Sequence, residues 1–216
     1  MIKIENVDIY GWEAAIRGMR NPKNSWDKSD SFEFYPDEEG NPWIGKNDLK
    51  LMKLLAKAGN DHGKFLRMIN VTMDITAPLY WWKEHDTYKV GTVADSCSTM
   101  HKIHAKEFNL DDFSYEHLTR EDDDNCGVAG IDILLCHIDN LNEFRTAFIE
   151  TGDKKYWWQM IQLLPSSYNQ RRTIQLNYQV LKTMYFARRN HKLDEWHDFC
   201  HWCETLPYFK EICIQD

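Results

Sequence analysis

The chain has 216 residues, 43% hydrophobic and 28% charged, with a formal net charge of −8. That length and composition suit a globular chain with a real core and exclude intrinsic disorder. The acidic balance argues against broad non-specific nucleic-acid binding, while a local basic pocket can still hold a small anion.

Residues 1–9 read as a short entry strand, and residues 12–19 as a short helix containing Ala14, Ala15 and Ile16. Asn, Pro, Asp and Ser make residues 20–31 a loop. Arg17, Arg20, Lys23 and Lys28, with Trp26 among them, give it a basic face suited to phosphate or simply to solvent. Residues 33–42 are acidic and turn-rich and are expected to be exposed. Asn47 is the expected cap of a helix in which Leu49, Met52, Leu55 and Ala56 recur at helical spacing, and Gly59 sits where a C-terminal cap belongs. His62 lies in the turn that follows.

Residues 65–104 are the stretch around which the rest is organised. Ile69, Val71, Met73, Ile75 and Ala77 alternate with Asn70, Thr72, Asp74 and Thr76, the period of two that a half-buried strand needs. Pro78 has no N–H for a ladder and ends the strand. Residues 79–86 concentrate Tyr80, Trp81 and Trp82, then Lys83, Glu84, His85 and Asp86. Residues 87–101 form a polar loop rich in small and hydroxyl side chains. A strand feeding such a loop is a common base for a site.

Further on, the acidic run at 121–124 reads as solvated loop, because consecutive carboxylates cannot all converge on one ion. Ile131, Leu134, Leu135, Ile138, Leu141 and Phe148 mark a long amphipathic helix over 131–151, broken by Gly152. Residues 154–164 predict another helix, stopped at Pro165. Ser166 or Ser167 is then expected to cap a helix running to about Arg189. Its core face would use Ile174, Leu181 and Met184, and its polar face Arg171, Arg172, Asn177, Gln179, Thr183 and Arg188. A last helix over 193–205 places Trp196, Phe199, Trp202 and Cys203 on one side. Together these elements predict one α+β domain over residues 1–216, a small antiparallel sheet wrapped by several helices.

Six cysteines, with no basic-then-apolar leader pattern and no apolar run of membrane-span length, predict free thiols in a reducing, cytoplasmic setting. Cys200-x-x-Cys203, with His197 and His201 nearby, has the spacing of half a zinc site, but the second cysteine pair is missing. Cys97 and Ser98 lie near His85, His101 and His104 in sequence, without the G-x-S-x-G elbow of a nucleophilic serine. No P-loop and no G-x-G-x-x-G is present. A distributed anion site would join the loop near Arg20, Lys83 and Lys89, and the helix ending in Arg188.

Residues 164–191, LPSSYNQRRTIQLNYQVLKTMYFARRNH, resemble a segment of the flavin-dependent thymidylate synthases. That segment is a Leu-Pro, a helix carrying Asn-x-Arg-Ser-Leu, then Asn, then Leu-Arg-x-x-x-His. Leu164, Pro165, Asn177, Leu181 and Arg188 fall in register, and His191 fits with one deletion. Upstream, a helix, the His62 turn, a strand and Ala77-Pro78 follow the family's order. The matched parts span residues 47–101 and 164–202. The chain departs from the family in its signature, Arg-His-Arg-x-x-Ser-x-Asn-Glu-x-Ser-x-Arg-Tyr. Here Thr87-Tyr88-Lys89 stand for Arg-His-Arg, Ser98 is retained, and Met100 replaces the last Arg. Lys83 and Glu84 stand for Arg-Gln, and Gln179 and Thr183 for an Arg and an Asn on the helix. Arg offers a planar bidentate fork to phosphate, whereas Lys is a point charge and Gln is neutral.

The resemblance implies that His62 and Asn177 face FAD, with Lys64, Lys89, Gln179 and Thr183 at other FAD contacts. It implies Lys83, Glu84 and Ser98 near the nucleotide phosphate, and Arg188 against the uracil ring as the catalytic group that stabilises developing negative charge. The activity implied is methylation of dUMP, with FAD as cofactor, NADPH as reductant and methylenetetrahydrofolate as carbon donor, in a homotetramer. Two alternatives stay open. One is a non-catalytic nucleotide-binding or regulatory protein on the same fold. The other is an interaction protein using exposed Trp81-Trp82 and Trp157-Trp158 pairs.

Overall fold

A computed structural model of the chain describes residues 2–31, 42–121 and 127–215. Most of the acidic stretch expected at 33–42, and positions 122–124 of the acidic run, lie outside the described residues. The strands are β1 (Lys3–Tyr10), β2 (Asn70–Pro78), β3 (Val93–Ser96) and β4 (Asn169–Asn177). The α-helices are α1 (Trp12–Arg20), α2 (Lys46–Lys57), α3 (Leu79–His85), α4 (Thr99–Lys102), α5 (Gly130–Thr151), α6 (Lys154–Leu163), α7 (Tyr178–Arg188) and α8 (Asp194–Thr205). The strands form one antiparallel sheet in the order β1-β2-β4-β3, the expected α+β class. The chain divides into two compact units. The first comprises Met1–Lys3, Ile75–Asp86 and Asp95–Arg172, and the second Ile4–Asp74, Thr87–Ala94 and Thr173–Asp216.

The alternation read in β2 is realised: Val71, Met73, Ile75 and Ala77 are buried while their neighbours are half-buried. The helix expected from Ser166 to Arg189 is not formed as one element. Residues 169–177 are strand β4, and the helix begins only at Tyr178. Asn177, expected on the polar face of that helix, is the residue that caps it.

In the second unit, α2 starts at Lys46, and Asn47 does not cap it. The carboxylate of Asp30 does so from a distance in sequence, accepting the N–H groups of Asn47 at 2.9 Å and Asp48 at 3.0 Å. Arg20, read as part of a basic loop face, is buried and paired with the buried Asp48 at 2.7 Å. It stands with the core of this unit. Gly11 precedes α1 at φ 95, and a Cβ there would sit 2.0 Å from the Met68 carbonyl oxygen, so only glycine fits. Trp12 meets Tyr178 edge-on at 5.3 Å, and Tyr178 meets Phe209 at 5.5 Å. Each such fully buried aromatic contributes about 1.5–3 kcal/mol.

In the first unit, α5 and α6 close over Ile103, Phe108, Phe113, Leu134, Ile138, Leu141 and Met160. Gly152 ends α5 at φ 67, as its position in the sequence predicts. Trp81 and Trp82, weighed as an exposed interaction pair, are both buried and hold α3 in place. The first N–H groups of α3, on Leu79 and Tyr80, are accepted by the carbonyls of Tyr168 and Ser166 at 3.0 Å each. Trp158 of the second Trp pair is exposed, and Trp157 donates its indole N–H to the Met100 carbonyl at 3.1 Å.

Candidate functional site

Within the second unit, several segments expected to face a cofactor meet at the N-terminal end of α7. Asn177 leaves β4 in extended backbone, and its Oδ1 accepts the Val180 N–H at 3.1 Å. That bond satisfies one of the helix's orphan donors. Gln179 donates its Nε2–H to Asn60 Oδ1 at 3.3 Å, drawing the turn that carries His62 to the same place. His62 and Lys64 are exposed at the start of the 3-10 turn Gly63–Arg67, which packs against α7. Gly91 lies on the loop that carries Lys89. At φ 76 it passes so close that a Cβ would meet Val180 Cγ2 at 3.1 Å and Asn177 Nδ2 at 3.2 Å. Thr183, one turn along, donates its hydroxyl to the Gln179 carbonyl at 2.9 Å. Exposed cations and amide donors are thus gathered around a helix N-terminus, an arrangement that favours an anionic group.

Arg188 closes the other end of α7. Its Nε–H is donated to the Tyr88 hydroxyl at 2.9 Å. Its guanidinium carbon lies 4.8 Å from the Trp196 ring centre and 5.5 Å from that of Tyr88. Trp196 and Tyr88 meet each other edge-on at 6.3 Å, and His191 meets Trp196 at 6.4 Å. From sequence, Tyr88 is only a departed signature position and Trp196 only one side of the last helix, and neither is expected beside Arg188. Their spacing from Arg188 gives no local signal, because the box is assembled by tertiary contact.

The residues expected at the nucleotide phosphate all fall in the first unit. Lys83 is exposed and Glu84 half-buried on α3. Ser98 caps α4, its Oγ accepting the His101 N–H at 3.1 Å. A chain of hydrogen bonds ties the helix to the serine loop. Arg172 donates to Asp86 Oδ1 at 2.7 Å and to Gln170 Oε1 at 3.0 Å. Gln170 in turn donates to the Cys97 carbonyl at 2.8 Å. Trp82 donates its indole N–H to the Gln170 carbonyl at 2.8 Å, and the Arg172 guanidinium stacks 4.2 Å over its ring. Gln170 and Arg172 are therefore positioning residues that the helix assignment concealed. His85, buried between Trp81 and Trp82, has its pKa pushed down to about 4 by burial; Asp86 raises it slightly and Arg172 lowers it further.

The half zinc site does not assemble. Among the described residues no group of three His, Cys, Asp or Glu side chains can hold a metal ion. Burial pushes Cys200 up to about 11 and Cys203 well above its ordinary value, so both remain protonated thiols packed as small apolar groups. Among the described residues no helix is long and apolar enough to cross a membrane.

The fold that positions these residues is that of the flavin-dependent thymidylate synthases. Over 99% of its length the chain is similar to thymidylate synthase X from Helicobacter pylori in a crystal structure with FAD and dUMP, at 15% identity, 97% of that chain and a TM-score of 0.68. A second structure of that enzyme with FAD and dUMP matches 98% of this chain and 97% of its own at 16% identity and a TM-score of 0.66. The UMP/dUMP methylase PolB from Streptomyces cacaoi, bound with 5-Br UMP, matches 99% of this chain and 94% of its own at 14% identity and a TM-score of 0.63. No protein-family model matches the sequence, and no curated protein matches it. At these identities the likeness is one of fold.

Proposed function

We propose that the protein binds FAD and a pyrimidine nucleotide and acts as a divergent thymidylate synthase, methylating dUMP with methylenetetrahydrofolate and NADPH. The observation that carries this is the convergence of the His62 turn, the Lys89 loop, Asn177 and Gln179 on one end of α7. That donor set fits a pyrophosphate-bearing cofactor. Lys64 and Lys89 supply charge, the Asn177 and Gln179 amides supply directed hydrogen bonds, and the helix end supplies a partial positive charge. Thr183 lies one turn along the same helix. When bound, flavin supplies the hydride chemistry that no side chain here can provide.

Lys83, Glu84 and Ser98 orient the nucleotide through its phosphate. Arg188 presents a planar guanidinium that stabilises negative charge developing on the pyrimidine ring. Tyr88 and Trp196 hold that guanidinium in one orientation. We further propose a cytoplasmic homotetramer. The visible absorption spectrum of the purified protein, with and without added FAD, tests the cofactor, and dUMP-dependent NADPH oxidation tests the reaction. A protein that stays colourless and takes up no FAD overturns the proposal.

A non-catalytic nucleotide-binding protein on the same fold is the second reading. It is favoured by the loss of the signature arginines at Thr87 and Met100. Nucleotide binding without NADPH oxidation supports it, and restored growth of a thymidine auxotroph excludes it.

A further inference from the structure

We infer that a cavity of about 500 Å³ in the second unit, between the C-terminal end of α7 and α8, binds a small monocarboxylic acid, with the Arg189 guanidinium as its cation. The site is independent of the proposed function. His197, Cys200, His201 and Glu204 recur at i, i+3, i+4 and i+7 on α8, which turns all four to one face. Tyr185 of α7 and Cys200 are buried and form the floor, and the link between the helices adds Arg189 and Asn190. Of the Cys200-x-x-Cys203 pair, Cys203 is fully buried and does not line the cavity. The histidines around the pair, and not the pair itself, reach an open site.

The side chains of Arg189, Asn190 and His201 have no hydrogen-bond or ion-pair partner among the described residues, and Arg189 meets only the Phe186 ring, at 5.1 Å. Burial pushes the Tyr185 hydroxyl up to about 12 and the Cys200 thiol up to about 11, and Glu204 adds to both. The Arg189 charge opposes each rise, which puts the guanidinium beside this floor. The other charged groups are already engaged. Glu204 accepts from the Tyr185 hydroxyl at 2.7 Å and pairs with Lys210 at 3.4 Å, and His197 Nδ1 lies 3.6 Å from Asp194. The Tyr185 hydrogen bond, with Lys210 and His201, holds the Glu204 carboxyl below its ordinary range, so it stays anionic on the wall.

One free cation facing a wall carboxylate matches a single negative charge and opposes a phosphate dianion. The guanidinium fork takes both oxygens of a carboxylate, and the Asn190 amide and the His201 ring donate to the lone pairs that remain. The volume falls within the range of about 300–1,000 Å³ that small-molecule pockets occupy.

Benzoate is the probe, with benzamide as its neutral isostere and inorganic phosphate as the dianion. In carbon-13 correlation spectra of the histidine rings of the full chain, benzoate should shift the His201 and His197 signals saturably. The signal of His62, exposed in a separate turn, should stay fixed. Benzamide should shift neither, and phosphate should need a higher concentration than benzoate. Arg189→Gln should raise the half-saturating benzoate concentration about tenfold, and His201→Gln several-fold when followed on His197. Both positions are exposed, so the unfolding midpoints should stay near that of the parent. Absence of a saturable shift, equal shifts with benzamide, tighter binding of phosphate than of benzoate, or unchanged half-saturation in both variants overturns the inference.

Discussion

Arg188 donates its Nε–H to the hydroxyl of Tyr88, a residue 100 positions earlier, at 2.9 Å. One edge of the guanidinium is thereby fixed while its face rests 4.8 Å from the Trp196 ring. A guanidinium held on edge and face loses little further entropy when it meets a ligand. Tyr88→Phe keeps the ring and removes the acceptor. Stability should fall by about 1 kcal/mol, measured by urea unfolding. Titration calorimetry should show dUMP affinity falling several-fold, and Arg188→Lys should weaken it more, because an ammonium cannot reproduce the fork.

Asp48 joins α2 to the segment before it. Its Oδ1 accepts from Arg20 Nε at 2.7 Å, and its Oδ2 accepts from the hydroxyls of Ser29 and Ser31 at 2.7 Å each. Oδ2 also accepts the backbone N–H groups of Asp30 and Ser31 at 3.1 and 3.0 Å. Burial alone would raise this carboxyl's pKa; the bonds from Ser31, Ser29 and Arg20 outweigh it, and the net direction is down. Asp48→Ala leaves the buried guanidinium of Arg20 without its anion and should cost about 3–5 kcal/mol in denaturant unfolding. The double variant with Arg20→Met should recover part of that loss. Because the folded pKa lies below the ordinary value of 3.8, this contribution is present above that pH and is lost as the acid limit is approached.

His85 gives an acid limb at higher pH. Its imidazole is buried, Nε2 has no hydrogen-bond partner among the described residues, and burial moves its pKa from 6.5 to about 4. The unfolded chain therefore binds the proton that the folded chain refuses. The contribution of this group is complete above about pH 6.5 and is lost between there and about pH 4, by on the order of 3 kcal/mol. His85→Phe keeps an aromatic between Trp81 and Trp82 and should flatten that limb in a series of urea titrations. An unchanged limb would show that another group sets it.

Gly91 tests the approach of the Lys89 loop to α7. A methyl group there faces both a positive φ of 76 and contacts at 3.1 and 3.2 Å. Gly91→Ala should cost about 1–2 kcal/mol and move the loop off the helix end. FAD uptake, followed by absorbance, should weaken more than the unfolding midpoint falls. Uptake equal to that of the parent would separate this loop from cofactor binding.

Much of the fold was legible in the sequence where one residue type repeats with one period. Strand β2 alternates apolar and polar side chains because one face is buried, and α5 ends at Gly152 because only a residue tolerant of positive φ fits there. Strand β4 was not legible, and the reason is chemical. Its inward set is Gln170, Arg172, Ile174 and Leu176, so its first half shows polar residues where the period of two requires apolar ones. Gln170 is tolerated inside because the Cys97 carbonyl and Arg172 satisfy it, and Arg172 because Asp86 and the Trp82 ring receive it. Cys97 lies 73 residues from Gln170 and Asp86 lies 86 from Arg172, so these partners leave no mark within a local window.

The candidate site divides in the same way. Arg188, Asn177 and Ser98 were named from sequence because their spacing matches a known pattern. That Asn177 caps α7, that Tyr88 and Trp196 hold Arg188, and that Gln170 anchors the serine loop were decided only by the tertiary structure. The sequence by itself determined which residue types lie along each segment, since propensity and period act over a few residues. Which of them meet was decided by packing, since a hydrogen bond or ring contact depends on distance in space and not along the chain.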